Sequence, residues 1–127
     1  EVAQRGSNIT QERTRFDFVF SRKLTDEEVK KVEEVVNKVI KKGLEMKREE
    51  MPLEKAFSSG AKGEFGHKYP SVVSVFTAVD KSEPTGYFSR EICTGPHVKN
   101  TKEIGHFKII EQASVSAGVR RIKAVLE

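Results

Sequence analysis

In the segment Cys93-Thr-Gly-Pro-His97 a thiol and an imidazole stand four positions apart, with a Gly-Pro pair between them that can turn both side chains toward one point. Thiolate and imidazole are good zinc ligands, but two ligands do not complete a protein site. A structural zinc site is closed by four, and a catalytic one uses about three plus a water. The other histidines are His67, which follows Gly66 in a glycine-rich turn, and His106, at the start of an expected strand; neither has recognisable ligand spacing to Cys93. The residues alone leave three readings open: half of a metal site, a buried free thiol beside a hydrogen-bonded imidazole, or a nucleophile with its base. Closeness in sequence does not favour the last, because such pairs usually meet across a fold. Gly-rich phosphate-binding motifs of the Walker or Rossmann type do not occur, so ATP is not expected by those routes.

The elements that must position these groups follow from periodicity. In Arg13-Thr-Arg-Phe-Asp-Phe-Val-Phe20, Phe16, Phe18 and Phe20 alternate with Arg15, Asp17 and Val19, the period-2 pattern of a strand with one buried face. Thr25-Asp-Glu-Glu28 has the form of a capping box, and Val29, Val32, Val36, Val39 and Ile40 follow at helical spacing. This predicts an amphipathic helix reaching about Met46, weakened near its end by Gly43. Its Lys and Glu residues read as a solvated face. Pro52 suits the first turn of a second, short helix, Leu53 to about Ser59. The stretch from Gly60 to Gly66 reads as a flexible turn. The β-branched run Val72 to Val79 reads as a central strand, Asp80 to Gly86 as a turn, and Tyr87 to Ile92 as another strand. Phe107 to Ala113 and Val119 to Leu126 read as two more, separated by Ser114 to Gly118. The order predicts an α+β domain, a mainly antiparallel sheet with two helices packed on one face.

Composition bounds the answer without naming it. A chain of 127 residues fits one domain and can bury a core without disulfides or metal. With 36% hydrophobic and 33% charged residues it reads as soluble and globular, and no apolar run has membrane-spanning length. No signal peptide is expected, since Glu1 opens a polar stretch, and the lone Cys93 suits a reducing cytoplasm. A net charge of +4 is compatible with nucleic acid but equally with an ordinary basic domain.

From Ser89 to Ile109 the chain reads Ser-Arg-Glu-Ile-Cys-Thr-Gly-Pro-His-Val-Lys-Asn-Thr-Lys-Glu-Ile-Gly-His-Phe-Lys-Ile. This resembles the closing signature of the tRNA synthetase editing fold, a Ser-x-Glu-x-Cys-Gly-Gly-Thr-His-Val core followed by Asn-Thr, Ile-Gly and Phe-Lys-Ile. Gly118-Val-Arg-Arg-Ile-Lys-Ala124 is similar to the alanyl form of its ending, and Gln4-Arg-Gly-Ser-Asn8 and Arg15-Phe-Asp-Phe18 resemble alanyl motifs near the start. The threonyl members share the fold but close differently. Thr94-Gly95-Pro96 replaces the usual Gly-Gly-Thr, which is expected to reduce backbone freedom beside Cys93. Asp80 to Tyr87 looks like an insertion, read as a variable surface loop.

The resemblance implies proofreading. An alanine-activating site discriminates poorly against serine and glycine, so a second site hydrolyses the ester joining the wrong amino acid to the tRNA 3′-terminal adenosine. It implies zinc held by four ligands, a His-x3-His on a helix and the Cys-x3-His present here as Cys93 and His97. The first pair is expected before Glu1, which would leave this chain a fragment, weak or inactive alone. The metal is expected to assist a water, with no covalent intermediate. Gln4 matches a pocket-lining position, and Ser7 and Thr101 are candidate pocket hydroxyls. Arg120 and Arg121 are candidate tRNA contacts; on a strand they face opposite ways, so one is free to meet a phosphate while the other joins an internal ion pair. Glu91 and Glu111 are candidate acceptors orienting His97. The implied partners are the acceptor end of tRNA(Ala) and the rest of a synthetase chain, not DNA or a membrane. A non-catalytic tRNA-binding module and a free-standing trans-editing protein are the alternatives.

Overall fold

The computed structural model describes residues 2–63 and 67–127; Glu64, Phe65 and Gly66 of the expected glycine-rich turn lie outside the described residues. The chain divides into two compact units, one of Glu1–Ile40 with Ile104–Glu127, the other of Lys41–Glu103. The α+β class and the antiparallel pairing are as expected. The strands form two sheets rather than one, and the helices are shared between them.

The first unit holds a four-stranded sheet in the order β1-β2-β7-β6, with β1 Gln4–Ile9, β2 Thr14–Val19, β6 Phe107–Ser116 and β7 Val119–Leu126, every pairing antiparallel. Helix α1, Asp26–Lys42, starts at the expected capping box: Thr25 Oγ1 accepts from Glu28 N–H at 3.1 Å and Glu28 Oε1 accepts from Thr25 N–H at 2.9 Å. It runs alongside the outer edge of β6. The Asn37 amide bonds both the C=O and the N–H of Phe107, at 2.9 and 2.8 Å, and Glu33 accepts from Ile109 N–H at 3.2 Å. These side chains occupy edge groups that would otherwise be open to another strand. Phe18, Ile40, Ile109 and Ala124 are the buried apolar residues of this unit.

One feature of β2 differs from simple alternation. Asp17 projects opposite to the phenylalanines, yet is only 8% exposed. The Arg121 guanidinium donates to both its oxygens, at 2.8 and 3.0 Å, across the β2–β7 pairing. A carboxylate so neutralised tolerates burial. Its pKa is lowered, first by this hydrogen bond and, more weakly, by the charges of Arg121 and Arg15, against a desolvation that raises it.

Helix α1 stops four residues short of expectation. Gly43 adopts φ +71°, the left-handed conformation that ends helices, and Leu44 beyond it is buried. The chain then forms a strand that the sequence reading absorbed into the helix: β3, Glu45–Pro52, on the edge of the second unit's sheet. Its charged residues suit an edge, and only Met51 is buried. This sheet has the order β3-β4-β5, with β4 Val72–Val79 in the centre and β5 Tyr87–Ile92 on the far side, both pairings antiparallel. The short helix α2, Leu53–Ser58, packs on β3 and β4, with Pro52 as its N-cap rather than in its first turn. Met51, Ala56, Ala61, Val73 and Val75 form the core on this side, with Leu53, Tyr69 and Ile92 against it.

The Asp80–Gly86 turn is anchored. The Asp80 carboxylate, 5% exposed, takes hydrogen bonds from Lys42 Nζ at 2.7 Å and from Ser82 N–H and Oγ at 3.0 and 2.7 Å. The expectation of a plain surface loop therefore holds for its tip and not for its base.

Candidate functional site

Side chains alternate across β4, so the face opposite the core carries Ser74, Phe76 and Ala78. Phe76 and Ala78 are nevertheless buried, which shows that this face is covered too. Register places Glu91 of β5 directly across from Phe76. Cys93, two positions on, shares that face by parity, and its N–H still follows β4 through a bond to Ser74 C=O at 3.1 Å. Past Cys93 the strand ends and the chain doubles over Phe76.

Gly95 makes that reversal possible. Its φ is +79°, and the Gly95–Pro96 peptide is cis. Its N–H points back at Cys93 Sγ, 3.4 Å away. A β-carbon at Gly95 would lie 3.1 Å from Phe76 Cζ and 3.7 Å from His97 Cδ2. The His97 ring rests on Phe76 with centroids 4.1 Å apart and planes inclined by 33°. Thiol and imidazole thus flank one glycine above one phenyl ring. The expected loss of backbone freedom at Thr94 is immaterial, because every non-glycine residue here has negative φ and the left-handed position falls on Gly95.

Electrostatics distinguish the two acid–base groups of this face. Desolvation lowers the pKa of His97, favouring the neutral imidazole, the form that donates a lone pair to a metal. Desolvation raises the pKa of Glu91, opposed by the nearby Lys62 charge. Among the described residues, neither Glu91 nor Glu111 is hydrogen-bonded to His97; Glu111 lies on β6, 3.6 Å from Lys123 Nζ. A thiol receiving an N–H bond and a neutral imidazole fit the soft half of a zinc set. Among the described residues no group of three or more His, Cys, Asp or Glu side chains is arranged to hold a metal ion, so these two donors do not close a site by themselves.

Thr101 is committed elsewhere. It is 4% exposed, and its Oγ1 accepts from Leu44 N–H at 2.8 Å while its N–H bonds Leu44 C=O at 2.9 Å. With Met46 N–H on Lys99 C=O and the Asn100 amide on Gly43 C=O, it fastens residues 99–101 to the start of β3. The structure thus gives the Thr101 hydroxyl a structural use. The remaining candidates belong to the first unit. Gln4 is half-buried and opens β1 opposite Phe18, and Ser7 is exposed opposite Phe16. The adjacent arginines divide their work: Arg121 holds Asp17, while Arg120 reaches Gln112 Oε1 at 3.4 Å and leaves a buried Nε without a hydrogen-bond partner. Two residues escaped the sequence reading: Phe76, whose only signal was being the one aromatic of its strand, and Asp17, hidden on the nominally outer face of β2.

Residues 71–123 match the family described as the threonyl and alanyl tRNA synthetase second additional domain. An alanine–tRNA ligase from Borrelia garinii subsp. bavariensis is 54% identical over 98% of the chain, which covers 20% of that relative. One from Treponema denticola is 49% identical over 99% of the chain, again 20% of the relative, and one from Bdellovibrio bacteriovorus is 44% identical over 98%, covering 13%. The chain thus spans about a fifth or less of the length of these relatives. The matched region takes in β4, β5, the Cys93–His97 turn and most of the β6–β7 hairpin. On these grounds residues 71–123 match the second additional domain of the threonyl and alanyl tRNA synthetases, within a chain that is similar over nearly all its length to a stretch of alanine–tRNA ligases.

Proposed function

We propose that this chain supplies an editing site that hydrolyses the ester bond of tRNA(Ala) mischarged with serine or glycine. The observation that carries the reading is the convergence of Cys93 and His97 on Gly95 above Phe76. It is supported by the similarity to alanine–tRNA ligases over nearly the whole chain.

Cys93 and His97 would hold a zinc ion together with donors from sequence outside the described residues. Such an ion, when bound, supplies Lewis acidity and orientation for attack by water on the ester carbonyl. The chain's own residues have definable tasks. Gly95 N–H holds the Cys93 sulfur in place as an acceptor. Phe76 fixes the plane of His97 and excludes water from one side of it. Glu91, directly across from Phe76 and open to solvent, is the carboxyl on this face proposed to exchange a proton with the attacking water or the leaving ribose oxygen. Gln4 and Ser7 are the proposed amino-acid-sensing groups, on the likeness of Gln4-Arg-Gly-Ser7 to the family's motif; an amide or hydroxyl discriminates strongly when a site is built to bond the substrate's hydroxyl. Arg120 rather than Arg121 is the proposed phosphate contact, because Arg121 is occupied by Asp17.

Deacylation of seryl-tRNA(Ala) tests this, measured on the chain and on a longer form carrying its flanking sequence. Cys93→Ala and His97→Ala are expected to reduce the rate of the longer form by at least about tenfold. Equal rates for both variants and the parent would remove this pair from the chemistry.

A further inference from the structure

The chain beyond Cys93 does not stop over Phe76. It crosses the second unit's sheet from β5 to the outer edge of β3, where Lys99 C=O accepts from Met46 N–H at 2.9 Å and Asn100 bridges to Glu45. His97 therefore lies between the two edges of the sheet, resting on Phe76 of the central strand. Register gives Phe76 a charged partner on either side: Glu91 on β5 and Arg48 on β3. Neighbouring strands are about 5 Å apart, so the backbones of Arg48 and Glu91 are separated by about 10 Å, with the imidazole over the gap.

Arg48 is held on this face. Its Nη2 donates to Ser74 Oγ at 2.9 Å, and Ser74 is the residue whose C=O accepts from Cys93 N–H at 3.1 Å. The same nitrogen reaches Glu50 Oε1 at 3.0 Å. Among the described residues Nε and Nη1 make no hydrogen bond. The Arg48 side chain is 53% exposed and that of Glu50 63%, so solvent screens their pairing. Charge on an edge strand discourages the addition of another strand, and Lys47 and Glu49, paired at 3.1 Å on the opposite face, already serve that purpose. It does not account for a guanidinium anchored on Ser74 beside His97 with two nitrogens to spare. Such a group matches a phosphate, whose oxygens take two parallel N–H bonds. In an ester on the 3′ oxygen of a terminal nucleotide, the 5′-phosphate lies one ribose from the reacting bond, just as Arg48 lies one strand from the residue beneath the imidazole.

We propose that Arg48 is a positioning residue that receives the 5′-phosphate of the terminal nucleotide whose 3′ ester is cleaved beside Cys93 and His97. This rests on the proposed function and adds the group that sets the substrate's register in the site. The probes are two hydrolysis-resistant analogues, 3′-deoxy-3′-(serylamino)adenosine with and without a 5′-phosphate, bound to the longer form carrying the flanking sequence. At low salt the parent is expected to bind the phosphorylated analogue about 5- to 20-fold more tightly. Arg48→Gln should lose that preference and bind the unphosphorylated analogue as the parent does. Arg48→Lys should keep part of it, having the charge without the fork. In deacylation of seryl-tRNA(Ala), Arg48→Gln should raise KM by a similar factor with kcat unchanged, the split expected of a contact made equally in the bound and transition states. Because Arg48 is more than half exposed, both variants should melt within a few degrees of the parent, roughly the size expected for a surface change. A phosphate preference that survives Arg48→Gln would overturn the proposal. So would equal weakening of both analogues, or a parent that shows no preference or binds neither. Cys93→Ala separates the two ideas, since it should slow deacylation and keep the phosphate preference. Hydrolysis that depends on Cys93 with a preference that ignores Arg48 removes the role of Arg48 alone. A preference that depends on Arg48 in a protein that hydrolyses no seryl-tRNA(Ala) removes the hydrolytic reading alone.

Discussion

Substituting alanine at Gly95 tests whether the Cys93–His97 turn has the geometry described. Two costs add there. A β-carbon at φ +79° is left-handed for an L residue, which costs about 1–2 kcal/mol. The same carbon would lie 3.1 Å from Phe76 Cζ, and Phe76 is only 8% exposed, so its ring has little space in which to retreat. Such overpacking adds about 1 kcal/mol. The sum, about 2–3 kcal/mol, corresponds to a fall in melting temperature of roughly 6–15 °C for a chain of this size. Gly86 provides the internal reference: its φ is +85°, but a β-carbon there meets nothing within 4 Å. Gly86→Ala should therefore show the conformational cost without the contact. Thermal melts followed by circular dichroism give the comparison. The His97 imidazole resonances should move in Gly95→Ala and stay in Gly86→Ala, because only the former disturbs the ring on Phe76. If Gly95→Ala is no less stable than Gly86→Ala, the close approach to Phe76 is wrong, and with it the argument that the turn is built around a residue lacking a side chain.

Two further outcomes follow from the charged pairs. The Asp80 carboxyl is held at about 2, first by the hydrogen bond from Lys42 and then by Ser82, below its ordinary 3.8. A depressed carboxyl contributes stability that is complete above the unfolded value and is lost as pH falls through the folded one. The acid limb between about pH 4 and pH 2 should therefore flatten in Asp80→Asn, as read by melts across that range; an unchanged limb would mean the Lys42 contact is not made in solution. Asp17→Asn keeps the shape of the side chain but leaves the Arg121 guanidinium facing a neutral amide, and should destabilise by about 2 kcal/mol in urea titrations. A double replacement, Asp17→Leu with Arg121→Met, should recover most of that loss, and a double variant no better than the single one would show that the pair is not the reason Asp17 is buried.

Much of the fold was legible because its signals are local. The capping box at Thr25 fixed the start of α1, the β-branched run fixed β4, and the phenylalanine alternation fixed β2. The end of α1 was misplaced because Glu45 to Met51 is rich in residues that favour helices, and Gly43 in isolation weighs only about 1 kcal/mol against them. What decides the matter is tertiary: Leu44 is buried, and Thr101 and Lys99 draw the chain into an extended path by bonding its backbone from some fifty residues away. β1, whose Gln-Arg-Gly-Ser-Asn-Ile sequence has no strand periodicity of its own, is established by its local hairpin with β2, in which Ile9 faces Thr14. The division into two sheets was illegible because it turns on the one non-consecutive pairing, β2 with β7, which no local signal announces.

The site shows where residue identity stops being informative. Cys93 and His97 could be singled out by type and spacing, but Phe76 is the surface on which they are arranged, and inside an apolar run a phenylalanine looks like any other core residue. The arginines make the point more sharply. Adjacency on a strand required Arg120 and Arg121 to face opposite ways, so one of them was bound to differ from the other in role. Sequence could not say which, because the deciding group, Asp17, lies 104 residues away on a face that simple alternation assigns to solvent. Once Asp17 takes Nε and Nη2 of Arg121, burial of the carboxylate and commitment of that edge of the guanidinium are the same fact. Arg120, with a weak 3.4 Å contact and no carboxylate of its own among the described residues, is the less committed arginine of the pair.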